Sequence, residues 1–131
     1  MSKRPSIVFQ AVTIMDKAFE QDLEIITEKD KFPMFYTKHE FNRAKKISVK
    51  FVKYCRKKYK IHYLNKIKPE MFNAFIKNED KTDEKFNPKI AGAYYKQILK
   101  FQQAYNKQKK CNIIFADRSY KEYLGPEYII T

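Results

Sequence analysis

Glycine is nearly absent: Gly92 and Gly125 are the only two in 131 residues. Phosphate-cradling loops of the GxxxxGK[ST] or GxGxxG kind need more than that and are excluded. A turn-rich all-β fold is disfavoured too, because tight hairpins draw on Gly or Asn-Gly. Cysteine is equally sparse. Cys55 and Cys111 stand 56 positions apart, outside any CxxC or ligand-spaced cluster. Neither a metal site nor a disulfide framework is expected from them, and a reducing, cytoplasmic setting fits. Apolar runs stop at three or four residues, too short to cross a bilayer. The opening MSKRPSIVFQ lacks the apolar stretch of a secretory signal. Histidine is limited to His39 and His62, and arginine to Arg4, Arg43, Arg56 and Arg118.

Acidic side chains are also in short supply. Against 28 Lys and Arg stand 15 Asp and Glu, for a net charge of +13. An AT-rich coding bias enriches Lys, Asn, Ile, Tyr and Phe, all abundant here, but it raises Glu along with Lys. The excess of Lys over Glu therefore asks for its own cause. An anionic partner, nucleic acid first, is the usual one. The excess is also localised. Residues 1–30 carry a net −2, residues 31–70 a net +11, residues 71–90 balance, and residues 91–131 carry +4. Such concentration is the footprint of a phosphate-binding face rather than of uniform solubilising charge.

With 44% apolar residues the chain can build a core, and its length suits one domain. The periodicity predicts an all-α bundle of four to five helices over residues 1–131. An acidic N-terminal helix occupies 1–30. Ile7, Ala11, Ile14, Met15, Ala18, Leu23 and Ile26 recur on one face, and Asp16, Glu20, Asp22 and Glu24 lie on the other. Lys31 to Tyr36, with Pro33, reads as a loop. Thr37-Lys38-His39-Glu40 matches a capping box and opens the second helix. Phe41, Ala44, Ser48, Phe51, Val52, Cys55 and Tyr59 form its apolar face. Ile61 to Lys68 is a linker anchored by Tyr63, Leu64 and Ile67. Pro69 starts a short third helix that buries Phe72, Phe75 and Ile76. Asn78 to Phe86 reads as a charged loop. Asn87-Pro88 caps a fourth helix with Ile90, Tyr94, Ile98, Phe101 and Tyr105 inward. Gly92 inside it either costs helix stability or permits a close backbone approach. Residues 108–131 read as a tail. Asn112 to Phe115 is open to a short strand or an extended anchor. Asp117 to Leu124 reads as a two-turn helix stopped by Gly125-Pro126. The EYIIT end is docked or awaits a partner.

No catalytic constellation assembles, so the chain is expected not to be an enzyme and to need no cofactor. His39 and His62 fit surface or phosphate contacts. Cys55 fits a buried structural thiol. Glu79, Asp80, Asp83 and Glu84 fit a solvated loop, since their spacing matches no calcium-loop pattern. A tyrosine without paired arginines and a histidine fits core or interface.

What remains is a basic stripe. Arg43, Lys46, Lys50, Lys53, Lys57 and Lys60 fall within about a third of the second helix's circumference. No acids are interleaved, whereas a merely solvated helix usually carries i,i+4 Glu–Lys pairs. Phosphate contact with double-stranded DNA is the favoured use. Lys96, Lys100 and Gln103, on the outer side of the fourth helix beside Lys89 and Lys107, form a weaker second candidate. Gln103 is the one able to read an adenine edge. With lysine dominant over arginine, backbone contacts should outweigh base readout. RNA is less favoured, because no aromatic strand motif appears. Stacking on single strands stays open in a chain that is 16% aromatic.

The order of these features resembles the N-terminal core-binding (SAM-like) domain of phage integrases and other tyrosine recombinases. The matching residues are Thr37 through Phe51-Val52-Lys53-Tyr54-Cys55, then Leu64-Asn65-Lys66-Ile67-Lys68-Pro69 with Phe72-Asn73-Ala74-Phe75-Ile76, then Tyr94-Tyr95-Lys96-Gln97-Ile98-Leu99-Lys100-Phe101. They span about residues 36–107. The resemblance implies a small helical bundle that clamps duplex DNA. No catalytic domain follows, so it withholds recombination. It further implies an accessory or regulatory factor of a phage, plasmid or mobile element, acting in the host cell interior. The rival expectation is an interaction module whose basic face docks an acidic protein. Self-association would then run through the N-terminal helix or the C-terminal tail.

Overall fold

Four helices form where the sequence supplies both a start signal and an apolar stripe. The computed structural model describes residues 6–25 and 37–124. Helix α1 spans Ile7–Ile25, α2 Lys38–Tyr59, α3 Pro69–Thr82 and α4 Pro88–Lys109. Short 3-10 turns cover Leu64–Lys66 and Arg118–Leu124. No strand occurs among the described residues, so the fold is a small all-α bundle.

The starts are chemically explicit. Ser6 Oγ accepts from Phe9 N at 3.0 Å, and Thr37 Oγ1 from Glu40 N at 3.0 Å. Asn87 Oδ1 accepts from Ile90 N at 3.0 Å, with Pro88 as the first helical residue. Each cap satisfies a backbone N–H that the helix itself leaves unpaired. The ends are unusual for a chain so poor in glycine. Lys60 and Lys110 close α2 and α4 in the left-handed region, at φ 56° and 53°. Glycine normally takes that conformation, because a Cβ there is strained.

Helix α2 is central. It packs against α1, α3 and α4, most extensively against α1 and α4. Its expected apolar face is buried from Phe41 to Cys55, with Ile47 added and Tyr59 half-buried. Phe51 meets Phe72 edge-on and Phe75 at a tilt, with centroids 5.6 and 5.4 Å apart. Ile7, Ala11, Ile14, Met15 and Ala18 of α1 enter the same core.

Several expectations are corrected. Asn78 to Phe86 is not all loop: α3 continues to Thr82, because Glu79 keeps the helical phase of Phe72, Phe75 and Ile76 and is itself buried. Tyr63 is no anchor, being 46% exposed, while Leu64 and Ile67 are buried. Gly92 marks no close approach: the nearest atom to an added Cβ is Tyr120 Oη at 4.0 Å, an ordinary contact.

Within the stretch read as a tail, Phe115, Ala116 and Tyr120 are part of the core. Residues 112–115 form neither helix nor strand, and the backbone of Ile113 and Phe115 pairs with side chains instead. Asn106 donates to Ile113 O and accepts from Ile113 N, both at 2.9 Å. Gln102 Oε1 accepts from Phe115 N at 2.8 Å. Phe115 and Tyr120 are buried, the latter against Phe72 and Tyr95. The two-turn helix expected over Asp117 to Leu124 is present as a 3-10 helix, Arg118–Leu124, that packs on α3. Asn73 Nδ2 donates to Ser119 Oγ at 2.7 Å, and Ser119 Oγ bonds to Asp117. The Lys31–Tyr36 loop, Ile26, the Gly125-Pro126 stop and the EYIIT end lie outside the described residues, as do the side chains of Asp22, Leu23 and Glu24.

Candidate nucleic-acid interface

Because α2 buries one side against three helices, its opposite side faces solvent along its whole length. Arg43, Lys46, Lys50, Lys53, Lys57 and Lys60 are all exposed there. From Arg43 to Lys57 the helix rises about 21 Å. One DNA strand places a phosphate every ~3.4 Å of axis, so the stripe matches about six base pairs in length. Asn42, Lys45, Lys46, Val49, Lys50 and Lys53 line a shallow groove of about 470 Å³. Val49 and the lysine stems supply its apolar part, with the ammonium groups at its edges.

The stripe is not electrically uniform. Lys50 Nζ donates to Glu79 Oε2 at 2.9 Å, with the Glu79 side chain 8% exposed and Lys50 50%. Lys50 Nζ also lies 5.8 Å from the Tyr94 ring centre. Partial burial pulls the Lys50 pKa down, but the hydrogen bond and charge of Glu79 outweigh it, so it stands above the ordinary lysine value. On the other flank Lys45 Nζ pairs with Asp16 Oδ1 at 2.8 Å. The acids missing from the α2 sequence thus arrive from α1 and α3. They neutralise the two edges of the face. Among the described residues no carboxylate pairs with Arg43, Lys46, Lys53, Lys57 or Lys60. Part of this charge has a local use, since Arg56, Lys57 and Lys58 complement the negative C-terminal end of the helix.

The α4 candidates are set apart from this face. Lys96 and Gln103 are exposed and Lys100 is half-buried. Helices α2 and α4 turn their buried sides toward each other, so their outer sides look away from a shared core. The structure therefore does not join Lys96, Lys100 and Gln103 to the α2 stripe. The neighbouring Gln102 has a structural role instead, accepting from Phe115 N.

Other chemistry is quiet. Cys55 is fully buried, and burial pushes its thiol up to about 12, far from a reactive thiolate. Burial likewise raises Tyr105 and Tyr120. His39 and His62 are exposed, and His62 contributes only its carbonyl, to Gln10 Nε2 at 3.0 Å. Of the acidic run, Glu79 is paired with Lys50, and Asp83 Oδ1 accepts from Lys85 N at 3.0 Å. No three potential metal ligands cluster among the described residues. None of the helices there is long and apolar enough to cross a membrane. Sequence reasoning missed Glu79, Lys45 and the Val49 groove. The phase of α3 was the available signal for the first.

No protein-family model, curated protein or solved structure matches the chain.

Proposed function

We propose that the protein binds duplex DNA without cutting it, laying the exposed side of α2 along the phosphate backbone. The observation that carries this reading is the row of exposed cations on α2 that have no carboxylate partner among the described residues: Arg43, Lys46, Lys53, Lys57 and Lys60. Like charges this close on one helix repel mildly, and an anion relieves that cost. Affinity comes from counterion release, with little base discrimination, because lysine lacks the planar fork of arginine. Lys50 holds α3 in place and contributes less to DNA than its sequence position suggests. An accessory role in a phage, plasmid or mobile element rests on the resemblance over residues 36–107.

Fluorescence anisotropy with a labelled random-sequence duplex, repeated at several salt concentrations, tests this. About four or five neutralised phosphates predict a log–log salt slope near −4. A slope near zero, or no binding at low salt, contradicts the proposal. Binding to an acidic polypeptide but not to duplex transfers the face to a protein partner.

A further inference from the structure

The groove on the exposed side of α2 holds two neutral side chains, Asn42 and Val49, among its lysines. Phosphate contact accounts for the lysines and not for these two. At ~100° per residue, Asn42, Val49 and Lys53 fall within about 40° of one another, on a line down the middle of the exposed side. Asn42 is exposed and Val49 half-buried. No hydrogen bond among the described residues engages the Asn42 side chain. Exposed cations flank the line on both sides, Arg43, Lys46 and Lys57 on one and Lys38 and Arg56 on the other. The neighbouring helices meet α2 at its flanks. Lys45 reaches Asp16 of α1 across one, and Lys50 reaches Glu79 of α3 across the other. Neither pair crosses the central line.

A phosphate strand has no use for an isopropyl group, which gains nothing from facing an anion. The major groove of duplex DNA suits both neutral residues. It is about 12 Å wide and admits a helix, with a phosphate strand on either wall. A carboxamide there pairs with N6 and N7 of adenine, and an apolar side chain meets the methyl of thymine. Seven residues separate Asn42 from Val49, a rise of about 10.5 Å. That is about three base steps. We infer that α2 seats in the major groove, with Asn42 on an adenine edge and Val49 against a thymine methyl about three base pairs away, so that the protein prefers A·T-rich duplex. The flanking cations then reach the strand on either wall. This rests on the DNA-binding reading above and deepens it: the lysines supply affinity, and two neutral side chains supply the modest base readout that lysine lacks.

The test is competition anisotropy with duplexes of one length. A central block of about six mixed A·T pairs should bind wild type roughly tenfold tighter than an all-G·C duplex, the scale of one carboxamide–adenine pair. Two base analogues then alter the major-groove edge alone. Deoxyuridine for thymidine removes the methyl and should weaken binding about 3- to 5-fold. Replacing adenine by 7-deazaadenine removes the N7 acceptor and should weaken it roughly 3- to 10-fold. Val49→Ala should abolish the first difference and Asn42→Ala the second. Both substitutions lie on the exposed side and should keep the helical circular dichroism. Lys46→Gln/Lys53→Gln/Lys57→Gln should weaken every duplex and retain both differences. A wild-type ratio near one for either analogue overturns the inference and leaves the α2 reading standing, since A·T preference without it comes from minor-groove shape. A difference that survives its own substitution also overturns it. Failure of every duplex to bind at low salt overturns both readings together.

Discussion

Two lysine-bearing helix faces, those of α2 and α4, look alike in sequence and differ in the folded chain. On α2 the cations run the length of the central helix, flank a groove floored by Val49, and keep their charge along the middle. Their neutralising acids, Asp16 and Glu79, sit only at the edges. On α4, Lys100 is half-buried, and the side next to the outer face is occupied by Gln102 and Asn106 holding residues 113–115. The comparison teaches that lysine spacing alone does not define a binding face. What separates the faces is how many exposed cations share one side of a helix: Arg43, Lys46, Lys50, Lys53, Lys57 and Lys60 on α2, against Lys89, Lys96 and Lys107 on α4.

The largest expected effect breaks that comparison directly. Lys46→Gln/Lys53→Gln/Lys57→Gln should lower duplex affinity roughly 10²- to 10³-fold near 0.1 M salt, and flatten the salt slope by about 3. Lys96→Gln/Lys100→Gln/Lys107→Gln removes as much net charge and should cost no more than about threefold. Similar losses from the two triples, measured by anisotropy, would erase the distinction.

Next in size is the division within α2 itself. Lys50→Met strands the buried Glu79 carboxylate and should destabilise the fold by about 1–3 kcal/mol in urea denaturation. Lys53→Met should stay within about 0.5 kcal/mol. The Lys50 contribution has a pH window. Its folded pKa is raised above the ordinary lysine value of 10.5, so the stabilisation is full below that value. It fades as pH climbs through the folded pKa, and the gap between wild type and Lys50→Met should close there. A gap that persists well above that range would mean that the ion pair is not its source.

Smaller effects sharpen the comparison at the helix ends and interior. Lys60→Gly and Lys110→Gly relieve the same left-handed strain, and each should stabilise by about 1 kcal/mol. Only Lys60→Gly should weaken DNA binding, since Lys110 is away from the stripe. Gly92→Ala has room for its Cβ beside Tyr120 and should add about 1 kcal/mol to α4, read as a higher Tm.

The helices were legible because their signals are local. Thr37 with Glu40, and Asn87 with Pro88, announce starts within four residues, and the apolar period fixes the buried sides. The α2 stripe was legible for the same reason. Its electrostatics were not, because Lys50 and Glu79 are 29 residues apart and no periodicity links them. Glu79 itself was obscured by its charged neighbours Asp80, Asp83 and Glu84, although it continues the phase of Phe72 and Ile76. The segment through Phe115 was ambiguous because its backbone pairs with Gln102 and Asn106 side chains. A strand needs a second strand, and a helix needs a repeat. A glutamine and an asparagine on a neighbouring helix leave neither trace.

The central claim, that α2 and not α4 carries the DNA, is tested most directly by amide chemical-shift mapping. A random-sequence duplex would be titrated into the labelled protein. Perturbations should concentrate at Arg43, Lys46, Lys53 and Lys57 and leave Lys96, Lys100, Gln103 and Lys107 nearly unmoved. Shifts centred on the α4 residues, or none along α2 at saturating DNA, would contradict it.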